Sequence, residues 1–303
     1  MNLRGTKNIV ILGGGIAGIS AAFHLKKVGF DSIVFEANVK VGGLLGNFTV
    51  ENFRFDNAVH LSFATEPEVR EVFDQTPYFR HSADSWCWDD VLWLKHPVQN
   101  NMFALDVDKR IELIASLVAR PNLEVNNYHD WLIYQYGESI VTRWHLPYTE
   151  KYWTVPAAEL GIDWIGSRVR RADVKEVLHG AFTSDTPNYY YASEMRYPKT
   201  GGYFSFIEPM IAEIDARCGY IATNIYLAKK EVRFANGDLV SFDKLINTMP
   251  LPKLIEIIDE VPDDVRVAAA TLFATSIDLI SVGFRRADIQ PHLWFYIYDE
   301  EIF

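Results

Sequence analysis

The sequence predicts an α/β protein: a doubly wound, mostly parallel sheet with helices, and a second, mainly helical part inserted in the chain. Three observations support this prediction. Residues 8–12 form a short apolar, mostly β-branched run that is typical of a buried parallel strand, and residues 32–36 repeat this pattern. A glycine-rich turn and a helical apolar pattern over 19–28 separate the two runs. Between 66 and 130 aromatic residues become frequent and glycine is absent, which indicates a different kind of domain.

The turn between the two strands has a specific chemistry. It begins at Gly13, reads Gly-Gly-Gly-Ile-Ala-Gly and matches the pattern G-x-G-x-x-G. Gly13 permits the tight turn, Gly15 lets the backbone approach a pyrophosphate, and Gly18 lets the helix pack close to the strand. The helix N-terminus presents free N–H groups and a partial positive charge to the phosphates. Glu36 ends the second strand, where a carboxylate accepts hydrogen bonds from ribose hydroxyls. These features predict a Rossmann-like FAD/NAD(P)-binding domain rather than an ordinary strand–turn–helix.

Composition and charge restrict the other function classes. The chain has 303 residues, of which 49% are apolar, and its net charge is −11. This charge disfavours a nucleic-acid partner, which would require a basic stripe. Cys87 and Cys218 supply neither a disulfide framework nor metal-ligand spacing, so a reducing compartment is expected. No apolar run is long enough to span a bilayer, and glycines 13–15 interrupt the stretch that resembles a signal peptide. We therefore expect a cytoplasmic protein with a small-molecule substrate, no transmembrane segment and no metal. The sequence allows assembly as a homo-oligomer.

A second glycine pair follows the ribose carboxylate and bears on the choice of dinucleotide. Gly42 and Gly43 lie after Glu36 with the spacing E-x5-GG. This arrangement resembles the N-terminal fingerprint of FAD-dependent oxidoreductases of the amine-oxidase and protoporphyrinogen-oxidase type. The resemblance implies FAD as the cofactor, with Gly43 and Leu44 along its pyrophosphate or ribityl chain. The residues predicted to bind the cofactor are Gly13, Gly15, Ile16, Ala17, Gly18, Glu36, Ala37, Gly42, Gly43, Leu44, His60, Leu227 and Thr248.

Three of these assignments, and the role of the turn at residues 197–203, depend on weaker resemblances. His60 ends a segment that is similar to the G-P-H segment of UDP-galactopyranose mutases, although Ala58 and Val59 replace Gly-Pro. A satisfied core histidine is the alternative. Residues 197–203 resemble the P-K-x-G-Y turn that opens a helix beside the flavin in the same mutases. The resemblance also implies that Leu227 lies near the adenine and Thr248 near the FAD pyrophosphate.

The segment 146–153 carries the resemblance that bears on the substrate. It reads Leu-Pro-Tyr-Thr-Glu-Lys-Tyr-Trp and leads into Pro156, Glu159 and Leu160, which is similar to the mutases' G-Y-T-x-K-x-W-G followed by P-x-E-L. Its two outer aromatic side chains, Tyr148 and Trp153, offer large flat surfaces with a polar edge, suited to a nucleobase or a sugar ring. The alternative is that both rings pack in a core.

Three arginines form the densest basic cluster in this acidic chain. They are Arg168, Arg170 and Arg171. Guanidinium groups bind a diphosphate in a bidentate manner, and the mutase resemblance implies that Arg168 belongs to the active site. A solvated helix face with ordinary ion pairs is the alternative. We therefore predict Arg168, Tyr148 and Trp153 as catalytic residues.

These predictions combine into a domain plan and a function. Residues 1–65 and 196–260 are expected to form the FAD-binding domain. Residues 66–195 are expected to form a helical and aromatic substrate domain, to which residues 261–303 add strands. The last part is expected to be truncated, because related flavoproteins carry a second FAD-binding segment near the C-terminus. The predicted function is that of an FAD-dependent oxidoreductase or mutase-like flavoenzyme acting on a nucleotide sugar, such as a UDP-sugar, for surface polysaccharide. The alternatives are an amine oxidase or desaturase that transfers hydride to FAD, and a non-catalytic nucleotide-binding scaffold.

Overall fold

The computed structural model describes residues 8–166, 169, 172–189, 192, 194–286, 292–299 and 301. The strands in these residues are, in chain order, β1 (Ile9–Leu12), β2 (Ser32–Glu36), β3 (Asn47–Val50), β4 (Phe53–Asp56), β5 (Tyr78–His81), β6 (Ser85–Asp89), β7 (Leu92–Lys95), β8 (Met195–Pro198), β9 (Asp215–Cys218), β10 (Ala222–Tyr226), β11 (Glu231–Phe234), β12 (Leu239–Ser241), β13 (Lys244–Asn247) and β14 (Trp294–Ile297).

The α-helices of the described residues are α1 (Ile16–Lys27), α2 (Pro67–Phe73), α3 (Val107–Val118), α4 (Tyr128–Tyr136), α5 (Glu138–Ile140), α6 (Leu146–Trp153), α7 (Val174–Phe182), α8 (Glu208–Ile211), α9 (Leu251–Ile257) and α10 (Asp263–Ala270). Short 3₁₀ turns occupy Gly43–Leu45, Val98–Asn100, Met102–Ala104, Ala157–Glu159 and Tyr203–Phe206. Residues Val141–His145 form a π-helical segment between α5 and α6. None of the helices in the described ranges is long and apolar enough to cross a membrane.

The chain divides into two compact units, Met1–His81 with Met195–Gly283 and Ser82–Glu194 with Phe284–Phe303. The first unit contains a parallel sheet with the strand order β13-β1-β2-β9. All four residues of β1 are buried, because both faces of the strand are covered: Ile11 packs in a cluster with Ala22 of α1, and Val10 and Leu12 pack with Ile225 and Phe234 of β10 and β11. The predicted strands and the intervening helix are confirmed, and with them the α/β, Rossmann-like fold class.

Smaller antiparallel elements complete the first unit. Strands β10, β11 and β12 form a meander, β3 pairs with β4, and β5 pairs with β8. The apolar side of α1 packs on the buried residues of the 203–207 turn: Ile19 and Phe23 share a core cluster with Phe206 and Ile207.

The second unit combines a three-stranded sheet, in the order β14-β6-β7, with helices α3 to α7. Its core is rich in aromatic side chains, and Trp144 is among the largest fully buried ones. The helix α3 begins where the Asp106 side chain accepts a hydrogen bond from the Lys109 backbone N–H, which satisfies one of the free N–H groups of its first turn.

The unit boundaries lie at 81/82, 194/195 and 283/284, whereas the sequence predicts boundaries at 65/66, 195/196 and 260/261. Residues 66–81 lie in the first unit because β5 pairs with β8, and because Val72 and Phe73 join the apolar cluster around α1. The aromatic enrichment that begins near residue 66 therefore starts inside the first unit. Which ligand each unit binds stays a prediction.

Candidate functional site

The glycine loop between β1 and α1 has different steric requirements at the three glycine positions of the G-x-G-x-x-G pattern. Gly13 has a φ of +105°, and a Cβ atom there would lie 2.5 Å from the Thr248 hydroxyl oxygen. A Cβ atom on Gly18 would overlap the carbonyl oxygen of Gly13. A Cβ atom on Gly15 would meet nothing within 4 Å. The open side of Gly15, directly before the first turn of α1, is therefore where a phosphate group can approach the backbone.

Glu36 is buried at the end of β2, beside this loop. Its carboxylate accepts a hydrogen bond from the Gly14 backbone N–H at 2.6 Å. It also accepts hydrogen bonds from the backbone N–H of Asn38 at 2.8 Å and from the Asn38 side-chain amide at 2.7 Å. These donors fix the carboxylate next to the glycine loop, where sequence analysis places the ribose contact. Asn38 was not predicted; an amide two residues after the acidic residue is the signal that could have indicated it.

The second glycine pair packs directly on the first loop. The Gly42 backbone N–H donates to the Gly14 carbonyl oxygen at 2.7 Å, and Gly15 and Gly42 form an isolated parallel bridge. A Cβ atom on Gly43 would lie 3.1 Å from the Gly15 Cα. Leu44 is 69% exposed. The two glycine segments that sequence analysis assigns to one cofactor are thus adjacent, as an extended dinucleotide requires.

Thr248 connects the end of β13 to the same loop. Its backbone N–H donates to the Leu12 carbonyl oxygen at 2.9 Å. Its hydroxyl donates to the carbonyl oxygens of Leu12 at 2.9 Å and Gly13 at 3.0 Å. The side chain predicted to lie near the pyrophosphate is therefore under the glycine loop and holds its first residue in place.

His60 lies beside the 201–203 turn. Its Nδ1 is 2.9 Å from the Ala58 carbonyl oxygen, and its ring centre is 5.2 Å from that of Tyr203. Asp56 fixes the turn, because its carboxylate accepts from the Tyr197 hydroxyl at 2.6 Å and from the Tyr203 backbone N–H at 3.2 Å. Residues next to His60 and the turn also contact the two glycine segments.

Two contacts connect the surroundings of His60 and the 201–203 turn to the glycine segments. The Asn57 side-chain amide donates to the Gly43 carbonyl oxygen at 2.9 Å. A Cβ atom on Gly42 would lie 2.8 Å from the Phe204 ring, so Gly42 sits against the residue that follows the turn. The structure thereby joins the two glycine segments, Glu36, Thr248 and His60 in one part of the first unit.

The other predicted cofactor residues are less closely connected. Ile16 and Ala17 are exposed in the first turn of α1, and Ala37 is exposed after Glu36. Leu227 follows β10 with its side chain 53% exposed, and its carbonyl oxygen accepts from the Lys230 backbone N–H. No described contact joins Leu227 to the glycine loop.

The second unit contains a cavity of about 540 Å³ with an aromatic wall. The predicted residues Tyr148 and Trp153 both line it. The ring of Tyr148 stacks on Tyr152 at 5.5 Å, and that of Trp153 lies 5.8 Å from Trp164. Arg168, with its neighbours Arg170 and Arg171, lies outside the described residues.

The described residues that line this cavity are uncharged at neutral pH. Burial lowers the pKa of His145 from 6.5 to about 4. Burial, together with a repulsive contribution from His145, lowers the pKa of His96 to about 4. Burial raises the pKa of Tyr148 well above its usual value, so its hydroxyl stays protonated. Such a cavity suits an uncharged planar ring rather than an ion.

The parallel sheet, the glycine loop and the buried Glu36 define a dinucleotide-binding protein of the Rossmann-like class. Residues 11–76 match the family of NAD(P)-binding Rossmann-like domains. The chain is 34% identical over 68 residues to protoporphyrinogen oxidase 2 of Arabidopsis thaliana, over 22% of this chain and 13% of that protein. It is 46% identical over 108 residues to the 1-hydroxycarotenoid 3,4-desaturase of a Flavobacterium species, over 33% of this chain and 22% of the relative.

Among solved structures, a reduced UDP-galactopyranose mutase is 27% identical and superposes with a TM-score of 0.82, over 88% of this chain and 62% of the mutase chain. A protoporphyrinogen oxidase-like structure from Exiguobacterium, at 14% identity and a TM-score of 0.60, shares the fold. The family match and the likeness to the mutase and oxidase support the predicted superfamily of FAD-dependent oxidoreductases, and with it FAD as the cofactor. The matches span less than two thirds of the length of these relatives.

Proposed function

We propose that this chain belongs to a flavoenzyme that holds FAD in the first unit and acts on a nucleotide sugar for surface polysaccharide. The observation that carries the proposal is the likeness to the mutase structure over 88% of the chain, together with the shared cavity of Tyr148 and Trp153. A cytoplasmic location and assembly as a homo-oligomer stay predictions.

The residues of the first unit fit the cofactor. The open side of Gly15 and the N-terminus of α1 would receive the pyrophosphate, and Glu36 would accept hydrogen bonds from the adenosine ribose. Gly42 and Gly43 would let the backbone follow the ribityl chain. When bound, FAD supplies a redox-active isoalloxazine ring, and the protein's own residues bind and orient the reactants.

In the second unit, Tyr148 and Trp153 would hold the base of the nucleotide sugar between flat apolar surfaces. Arg168 would then neutralise the diphosphate, and its removal would leave the bound phosphate without its guanidinium partner.

The test is a visible spectrum of the purified protein, oxidised and after dithionite reduction, during titration with UDP-galactose. We expect a flavin spectrum, a shift on adding the sugar nucleotide, and at least tenfold weaker UDP binding in Arg168→Ala. Lys175→Ala, an exposed change on α7, is the matched control. A protein that acquires no flavin spectrum with added FAD would support the scaffold alternative, and indifference to every UDP-sugar would exclude the nucleotide-sugar proposal.

A second candidate is a desaturase or amine oxidase that transfers hydride to FAD. The uncharged described lining of the aromatic cavity favours it, since such a wall also suits an apolar substrate. Bleaching of the flavin by a polyene or an amine without oxygen, and hydrogen peroxide release with oxygen, would support this candidate over the first.

A further inference from the structure

His145 is a polar residue in the aromatic cavity that none of the predicted roles uses. It is the last residue of the π-helical segment Val141–His145, directly before α6. Its ring lines the cavity together with Tyr148, which lies on the next helical turn. The π-helical segment adds one residue to the turn, and such insertions are frequent at functional sites because they redirect one side chain.

The surroundings of the ring favour the proton on one of its two nitrogens. The ring stacks on Tyr136, with ring centres 4.3 Å apart and an angle of 22°. Its Nδ1 lies 3.5 Å from the Ile140 carbonyl oxygen, which can only accept a hydrogen bond. A neutral imidazole has one N–H, and the carbonyl favours that proton on Nδ1. The Nε2 atom is then a hydrogen-bond acceptor, and it has no hydrogen-bond partner among the described residues.

The remaining polar groups of the wall include donors, since a tyrosine hydroxyl and a glutamine amide can each donate as well as accept. The Tyr148 hydroxyl stays protonated because burial raises its pKa. Gln99 is 6% exposed, lines the same cavity and makes no side-chain hydrogen bond to another described residue. The Gln99 side chain therefore offers its amide N–H and carbonyl groups to a polar ligand in the cavity.

We propose that His145 selects the base of the ligand by accepting a hydrogen bond from a ring N–H. The preferred class is a planar imide such as uracil, which presents a ring N–H between two carbonyl oxygens. The carbonyl oxygens match donors such as Gln99 and the tyrosine hydroxyl, and the N–H matches the acceptor. In cytosine the corresponding ring nitrogen is itself an acceptor, so two lone pairs would face each other. This inference rests on the proposed function, since it assumes that the cavity holds a nucleobase.

The experiment compares UDP with CDP, which have equal size and charge but differ at this ring nitrogen. Dissociation constants are measured by calorimetry on the FAD-loaded protein. We expect the wild type to bind UDP about tenfold more tightly than CDP, the size expected for one hydrogen bond and one avoided unpaired acceptor. His145→Phe and His145→Leu, which remove the acceptor, are expected to weaken UDP binding about tenfold and to change CDP binding less than twofold.

The ratio of the two constants is the decisive readout, because a merely structural defect would weaken both nucleotides together. Two acceptor-free variants are used so that the ratio can be read from whichever retains the wild-type melting temperature. His145→Gln keeps an acceptor and is expected to retain the preference for UDP, and His179→Phe, an exposed change on α7, is the control. If UDP binds but its preference survives in His145→Phe or His145→Leu, the role of His145 is refuted while the proposed function stands. If neither nucleotide binds any FAD-loaded protein, both the role of His145 and the proposed function are refuted.

Discussion

At the scale of single residues, Gly18 and Gly15 have different reasons to be glycine. A side chain on Gly18 would overlap the Gly13 carbonyl oxygen, whereas Gly15 faces open space and has a φ of −73° that any residue adopts. We therefore expect Gly18→Ala to lower the melting temperature of the FAD-free protein by several degrees. Gly15→Ala should leave that temperature unchanged and raise the dissociation constant for FAD at least tenfold. Differential scanning fluorimetry and flavin fluorescence titration measure the two effects, and equal destabilisation by both changes would contradict this reasoning.

Glu36 provides a second prediction for one residue. Its carboxylate accepts hydrogen bonds from Gly14 and Asn38, and an ionised acceptor makes each of them stronger than a neutral one would. Glu36→Gln replaces one oxygen with an amide donor that faces these donors. We expect the FAD dissociation constant to rise at least tenfold, measured by flavin fluorescence. Glu68→Gln, an exposed change in the first turn of α2, is the matched control and should bind FAD as the wild type does.

At the scale of elements, Thr248 links β13 to the end of β1 through two hydroxyl contacts. Thr248→Val keeps the shape and removes the single hydroxyl proton that the Leu12 and Gly13 carbonyl oxygens share. We expect a loss of about 1 kcal/mol in the free energy of unfolding, measured by urea denaturation. Thr223→Val, a change on β10, removes an exposed hydroxyl contact to the Arg233 carbonyl oxygen of β11 and should cost less. A larger loss in Thr223→Val would mean that the link to β1 is not the stabilising contact.

The elements also show what the sequence could and could not predict. The β1–α1–β2 region was predictable because strand and helix periodicities alternate there and each glycine has a separate steric reason. The π-helical segment before α6 was not predictable, because its residues continue the helical pattern and one inserted residue leaves no mark in composition. His145 was therefore missed, although Tyr148 and Trp153 were found three and eight residues later. The role of Gln99 was not predictable either, since only tertiary packing places its side chain in the cavity wall.

At the scale of the whole molecule, the titratable groups with the largest shifts are unevenly distributed. Among the described residues, the imidazoles with a strongly lowered pKa are His96 and His145, both in the second unit. In the unfolded chain their pKa is near 6.5, so the unfolded state takes up protons between pH 6.5 and 4 that the folded state does not. The free energy of unfolding therefore falls as the pH is lowered through this window. Above pH 7 both states are neutral at these positions and the effect vanishes.

This asymmetry gives a prediction that one optical probe can test. All eight tryptophans lie in the sequence of the second unit: Trp86, Trp88, Trp93, Trp131, Trp144, Trp153, Trp164 and Trp294. Urea unfolding followed by tryptophan fluorescence thus reports this unit. Between pH 7 and 5 we expect its free energy of unfolding to fall by about 2 kcal/mol for each buried imidazole, at most. The fall should be about half as large in His145→Phe, and His179→Phe should retain the wild-type profile. Coincident pH profiles of the wild type and His145→Phe would show that burial of this ring does not control the acid sensitivity of the unit.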